Sequence, residues 1–227
     1  MAVTMEALAG ETGDRNLLAG ALGEMQAASR LDAYNPDVHN TFGLFALRNG
    51  LADLGVAEFE KAVKLQPFDA ARYGQVAQAC LLLGQSYLQH GDRDRAVPFL
   101  EHAAGMPARL AEQATKVPDY VPADKALPAV SPIVSIWSGK AEALLGHWDR
   151  AVELLEVAHD ADLCAQARET PDLVAIRRAE AVLWLSVIQE FRGDDEAAAA
   201  FRAELGATAD DPVLEQLRRL LSQASES

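Results

Sequence analysis

LLLGQSYLQHGDRDRAVPFLEHAA, residues 81–104, decides the fold. Leu83-Gly84 is followed by Tyr87, then by Gly91-Asp92, then by Ala96, Leu100 and Ala103. One apolar stretch with helical spacing stops at a glycine, and a second begins almost at once. Glycine accepts the left-handed conformation that ends a helix, and aspartate caps the helix that follows. The setting recurs: Gly50, Gly146 and Gly193 also close helix-like stretches, and five positions beyond the four glycines stand Gly55, Ala96, Ala151 and Ala198. A chain that repeats one helix–turn–helix unit is a solenoid.

Working outward, residues 36–69 form one nearly complete unit. Asn35 caps and Pro36 suits the first turn of a helix from about Asp37 to Arg48. Asn49-Gly50 ends it, and a second helix from about Val56 to Leu65 carries Phe59, Ala62 and Val63 on one face before Gln66-Pro67. The next unit pairs a long helix, Asp69 to Gln89, with one from Asp94 to Ala104, capped by Asp92. Residues 107–132 then hold Pro107, Pro118, Pro122, Pro128 and Pro132, which exclude one continuous helix. Apart from a short helix over Ala108 to Thr115, this segment reads as an extended insertion or a hinge between two repeat pairs.

A third unit has helices near 133–145 and 149–160. A fourth has helices near 172–192 and 195–205, after the start signal Thr170-Pro171-Asp172. Residues 16–32 read as the second helix of a degenerate first unit. From Asp211-Pro212 to Leu221 the chain reads as an amphipathic helix with Val213, Leu214, Leu217, Leu220 and Leu221 apolar, a cover for the end of the array. The expected organisation is repeats over 1–106, a proline-rich insertion or hinge over 107–132, and repeats with a capping helix over 133–227.

Composition narrows the function classes. The 227 residues are 50% apolar, carry a net charge of -14 and have a pI near 4.7. Nucleic-acid binding needs a basic stripe, and Arg177-Arg178 and Arg218-Arg219 are isolated pairs, so no nucleic-acid partner is expected. An anionic membrane surface would be repelled. No apolar run approaches the ~18 residues of a membrane span, so no membrane insertion is expected. The opening MAVTMEALAGETGD lacks the basic and apolar regions of a signal peptide. Cys80 and Cys164 read as small buried hydrophobes outside any disulfide framework, which fits a reducing compartment and makes the cytoplasm the expected location.

These residues resemble the tetratricopeptide repeat family. The first clear unit supplies Phe42-Gly43, Gly50, Gly55, Phe59, Ala62 and Pro67. The second supplies Leu83-Gly84, Tyr87, Gly91, Ala96, Leu100 and Ala103. The third supplies Gly139, Gly146, Ala151, Leu155 and Ala158, with Ser138 where leucine is usual. The fourth has Ser186 in place of glycine and Arg202 where an apolar residue is expected. The resemblance covers 36–106 closely and 132–205 loosely, with spacings longer than the ~34 residues of a regular unit. It implies an all-α right-handed superhelix of antiparallel helix pairs, with about ten helices. Gly43, Gly84 and Gly139 are placed where paired helices cross, and Ala62, Ala103 and Ala158 at the next crossing.

A second similarity is to the soluble C-terminal repeat region of some bacterial O-antigen ligase-type membrane proteins. It rests on Pro67-Phe68-Asp69 leading into a long helix, the Gly91-Asp92-Arg93 turn, and Met106-Pro107 before a proline-containing insert. It implies an accessory domain of a membrane-bound glycan ligase or polymerase, located outside the cytoplasm, and it carries over no ligase residue.

Catalytic chemistry finds no support in the sequence. His39, His90, His102, His147 and His159 form no HExxH and no metal-like spacing with cysteine, and read as surface or capping residues. Asp92 with Asp94, and Asp160 with Asp162, sit at helix ends, where aspartate caps. No nucleophile elbow, Walker loop or dinucleotide fingerprint is present. No metal or cofactor is expected, and the chain reads as a non-enzyme. Trp137, Trp148 and Trp184 fall in apolar stripes and read as core, with Trp148 the exposed exception.

Binding is the remaining class. In stacked hairpins the first helix of each unit lines a concave groove, and the helical period selects the positions that face it. They are Asp37, Asn40, Leu44, Leu47 and Arg48; then Gln78, Leu81, Gln85, Leu88 and Gln89; then Ile133, Ile136, Lys140, Ala143 and Leu144; then Glu180, Leu183, Val187, Glu190 and Phe191. Only Asn40, Arg48 and Lys140 match the lysine, arginine and asparagine residues with which some proteins of this family clamp a carboxylate, and they are dispersed. The expected ligand is an extended or helical peptide, or a protein, with apolar anchors. The alternative is that the chain's own insertion or terminal helix fills the groove. Uncapped repeat ends also leave a homodimer open.

Overall fold

The structure, a computed structural model, describes residues 15–117, 127–166, 170–206 and 212–225. The chain start, Pro118, Pro122 and Asp211 therefore lie outside the described residues. Every regular element among those described is a helix. The chain divides into two compact units, one ending at Pro67 and the other beginning at Phe68. The first holds α1 (Arg15–Leu31), α2 (Pro36–Arg48) and α3 (Ala52–Leu65). The second holds α4 (Ala70–Gln89), α5 (Arg93–Ala104), α6 (Met106–Ala114), α7 (Pro132–Leu144), α8 (Trp148–His159), α9 (Ala161–Gln166), α10 (Pro171–Arg192), α11 (Asp195–Leu205) and α12 (Pro212–Ser225).

Local chemistry sets the helix ends. Asn35, Asp69, Asp92 and Asp194 each accept a backbone N–H of the first turn that follows them. Gly50, Gly91, Gly146 and Gly193 all adopt φ between +73° and +82°, the left-handed turn expected of them. One boundary moves: α3 begins at Ala52, four residues before the expected start. Gly55 lies inside it because the Leu47 side chain packs where a Cβ would be, 2.8 Å away. The short helix expected from Ala108 begins at Met106, directly after Gly105, and packs on α4, α5 and α7. Six-residue α9 is too short to show a helical period; it is held by Asp160, whose Oδ1 accepts the Asp162 and Leu163 N–H groups at 2.9 Å.

One rule builds the hairpins: a large side chain on the second helix seats on a glycine of the first. A Cβ on Gly43 would lie 3.0 Å from the Phe59 ring, one on Gly84 would lie 2.5 Å from Leu100, and one on Gly139 would lie 2.9 Å from Leu155. The fourth pair, Ser186 with Arg202, departs from the rule. With no leucine to seat, Ser186 keeps its side chain, fully buried, and its hydroxyl donates to Leu183 O at 2.8 Å. Arg202 turns instead to Glu190 on α10.

In the second unit, hairpin α4–α5 packs on α7, and α8 packs on α10. Gly74 brings α4 close to α7, since a Cβ there would meet the Ile133 side chain at 2.5 Å. Ser138, at the position where leucine is usual, donates to Ala103 O at 2.7 Å and ties α7 to α5. The helices flanking residues 107–132 thus touch directly. Cys80 and Cys164 are both buried, and neither forms a disulfide.

In the first unit α2 pairs with α3, and α1 packs on α2. Ala21, Met25, Phe42 and Phe45 form a core flanked by Leu18, Leu22 and Leu54. His39 corrects an expectation: it is neither surface nor cap but 4% exposed. Its Nδ1 lies 2.6 Å from Glu58 Oε2 and its Nε2 3.0 Å from Ala33 O. The other Glu58 oxygen accepts from Lys61 at 2.6 Å. This polar link joins α2 to α3 in a buried seam, each ring nitrogen of His39 facing an oxygen.

Candidate functional site

The first helices of the three hairpins in the second unit, α4, α7 and α10, share one feature: α12 packs against all of them. Its register explains how. Leu214, Leu217, Leu221 and Ala224 recur at helical spacing and are buried, whereas Val213, Glu215, Gln216 and Arg219 are exposed. Leu214 and Leu221 are closed off completely. Two polar anchors add direction. Arg218 donates to both Glu190 oxygens, at 2.7 and 2.9 Å, a fork on a carboxylate. Arg93, at the start of α5, donates to the carbonyl of Ala224 near the C-terminal end of α12.

Glu190 is therefore held between Arg218 and Arg202. The Arg218 hydrogen bonds keep its carboxyl below the usual carboxylate range, against a smaller opposing effect of burial. In return Glu190 raises the Arg218 guanidinium further above an already high value.

Beside α12 lies a cavity of about 300 Å³, walled by Leu81 and Gln85 of α4, Trp137 and Lys140 of α7, and Leu183 and Trp184 of α10. Val213, Gln216, Leu217 and Leu220 close it from the α12 side. Exposed Leu82 also borders it.

Lys140 is the unusual group here. It is 2% exposed, pairs with Glu180, and holds its ammonium 4.4 Å from the Trp137 ring centre and 5.7 Å from that of Trp184. Two aromatic faces and one carboxylate replace the water it has lost. Burial pushes the Lys140 ammonium below the usual lysine range, while Glu180 pulls it back. The folded state therefore releases the Lys140 proton before the unfolded chain does, so stability rises with pH up to the ordinary lysine value near ~10.4. Lys140→Met is expected to flatten that alkaline rise, leaving Glu180 half-exposed. Urea unfolding of both proteins from neutral to alkaline pH checks this; parallel slopes would contradict it.

Of the residues selected by helical period, Leu81, Gln85, Lys140 and Leu183 meet in this cavity, with Gln89 and Glu180 also lining it. Gln78 is half-buried on α4 and is not part of the lining. Leu88, Ile136 and Val187 are buried outside the lining. Phe191 packs tilted against Trp148, with ring centres 5.6 Å apart. Asn40, Leu44, Leu47 and Arg48 belong to the other compact unit. There Leu44 and Arg48 are exposed, and Leu47 is turned inward against Gly55.

The period did not select Trp137 and Trp184, which read as core, and Trp184 is indeed buried; α12 at the cavity is the alternative in which the terminal helix lies in the groove. A signal near the α12 contact was present: the fourth hairpin breaks the glycine–leucine rule at Ser186 and Arg202, and Arg202 pairs with Glu190, the carboxylate that Arg218 of α12 also binds. Of the other histidines, His90 contacts Ser86 O, His147 contacts Glu142 and His159 contacts Glu204. Among the described residues no cluster of three His, Cys, Asp or Glu side chains is arranged to hold a metal ion, and no helix is long and apolar enough to cross a membrane.

Residues 77–108 match a tetratricopeptide repeat. They span the end of α4, the Gly91 turn, α5 and the start of α6. Among solved structures the chain is similar to a thermophilic tetratricopeptide-repeat protein of Thermus thermophilus, at 18% identity over 98% of both chains with a TM-score of 0.48. No curated protein sequence matches the chain.

Proposed function

We infer, for a chain that carries a tetratricopeptide repeat and folds as stacked helical hairpins, a non-catalytic scaffold that binds a protein or peptide through its first-helix face. Repeats of this kind are scaffolds that commonly bind proteins. The observation that carries the reading is α12: an amphipathic helix already lies on α4, α7 and α10, the face that the first helices would present as a concave surface. The supporting chemistry is that of a helix-in-groove site: leucine and tryptophan walls with a few fixed charges. Those charges are committed to pairing, Lys140 with Glu180 and Glu190 with Arg218, which suits orienting a ligand rather than moving protons.

The test is capture of partners from native lysate by the full chain and by the variant Leu82→Asp with Leu183→Asp. Leu81 is avoided because it is 1% exposed and an aspartate there would attack the core. Loss of about tenfold or more of the captured partner, with helicity and tryptophan emission unchanged, is expected. Equal capture by a folded variant would refute the role of this face.

A further inference from the structure

The face bordering α12 is imperfectly filled. A cavity of about 300 Å³ remains between α12 and the three first helices, although Leu81, Trp137, Leu183 and Trp184 offer apolar wall on the other side. The groove is open to solvent, so α12 covers this apolar wall only in part, and Leu82 at its border is 51% exposed. On the α12 side the cavity is met by Val213, which is 54% exposed, and by the polar Gln216. A helix matched to this surface would carry larger apolar groups at those two positions. The polar anchor is better matched, with Arg218 forked on Glu190 in a chain of net charge -14. Attachment in the same chain gives α12 a local concentration on the order of millimolar, which holds even a weak helix in place.

We propose that α12 is an internal stand-in for the ligand. The partner is an amphipathic helix with leucines at the spacing of Leu214, Leu217 and Leu221 and an arginine at the position of Arg218, and it binds by displacing α12. The inference rests on the reading of this face as a binding surface and names its ligand class and its regulation. Glu190 selects the basic residue, the leucine stripe fixes register, and the bond from Arg93 to the Ala224 carbonyl holds the resident helix until it is exchanged. The occupant is a helix of another protein, not α12 of a second copy.

The experiment uses the full chain and a fluorescein-labelled peptide of residues 212–225, read by anisotropy. Wild type binds the peptide weakly, because its own α12 competes. A chain carrying Leu217→Asp and Leu221→Asp in α12 binds it at least ~10-fold more tightly. A peptide with Gln216→Leu binds more tightly still. A peptide with Arg218→Glu binds about tenfold or more weakly, and Glu190→Arg in the receiving chain restores it.

Arg218→Glu in the chain alone is the milder release, expected to move affinity in the same direction by a smaller factor. Unfolding of both released variants would make α12 part of the fold and overturn the proposal. So would a folded variant that binds the peptide no better than wild type. A wild-type dimer in sedimentation that the α12 substitutions dissociate would assign the face to a second copy, and also overturn it. If the peptide fails while partner capture still depends on Leu82 and Leu183, only this inference falls. If that capture is insensitive, the binding surface itself is wrong.

Discussion

Gly84→Leu is expected to destabilise the unit beginning at Phe68 by about 3 kcal/mol, the upper end of what overpacking costs. The first added atom already decides it. A Cβ at position 84 would stand 2.5 and 2.6 Å from Leu100 Cδ2 and Cγ, and 3.4 Å from the Ala96 carbonyl. Leu100 is 1% exposed and Ala96 is fully buried, so neither has open space to retreat into. The hairpin must splay, and splaying also opens the Ser138 bond to Ala103 at the far end of α5. Trp137, Trp148 and Trp184 all lie in this unit, so urea unfolding followed by tryptophan emission reads the change. A compensating Leu100→Ala in the same chain is expected to recover part of the loss. A shift below about 1 kcal/mol for Gly84→Leu alone would show that the seat is softer than its distances imply.

Glu58→Ala is expected to cost the first unit about 3 kcal/mol, as breaking a buried, hydrogen-bonded pair does. Glu58 is 2% exposed and serves both His39 and Lys61. Lys61 is half-exposed and falls back on water, whereas His39 stays sealed between α2 and α3 with one nitrogen left without its acceptor. Tryptophan emission is blind to this unit, so faster hydrogen exchange of α2 and α3 amides is the measurement. Glu58→Gln, which keeps an acceptor near Nδ1, is expected to be milder. Equal exchange in wild type and Glu58→Ala would mean that the pair is dispensable.

What was legible in the sequence was local. A turn glycine, an aspartate after it and a small residue five positions on are decided by neighbouring atoms, and helix ends followed within a few residues. The glycine–leucine seats were legible too, because glycine inside a helix is costly unless something occupies its space. Leu47 shows the limit. The period put it on the side facing the groove, but Gly55 opposite offers a deeper seat and takes it. His39 and Glu58 are 19 residues apart and carry no periodic mark, so their pairing appears only once α2 and α3 are folded together. The stripe of α12 announced that one face needs a cover, which is a statement of area. It left two surfaces open, the end of the array and the groove of the first helices. Which one it takes depends on Glu190 and on the tertiary placement of three helices, and neither is encoded in local spacing. The visible clue was the broken fourth hairpin, whose Arg202 pairs with the same Glu190 that Arg218 of α12 binds.

The reach of α12 back to α4 changes how the second unit comes apart. An array in which each hairpin touches only its neighbours melts gradually from its ends. Here the last helix clasps the first hairpin of the unit, through α4 and through Arg93, as well as the final one. Opening either end must break contacts made to the other, so more cooperative melting of this unit is expected than of an open stack. A ligand that took the place of α12 would trade that closure for its own contacts, leaving the scaffold looser along its length while it is occupied.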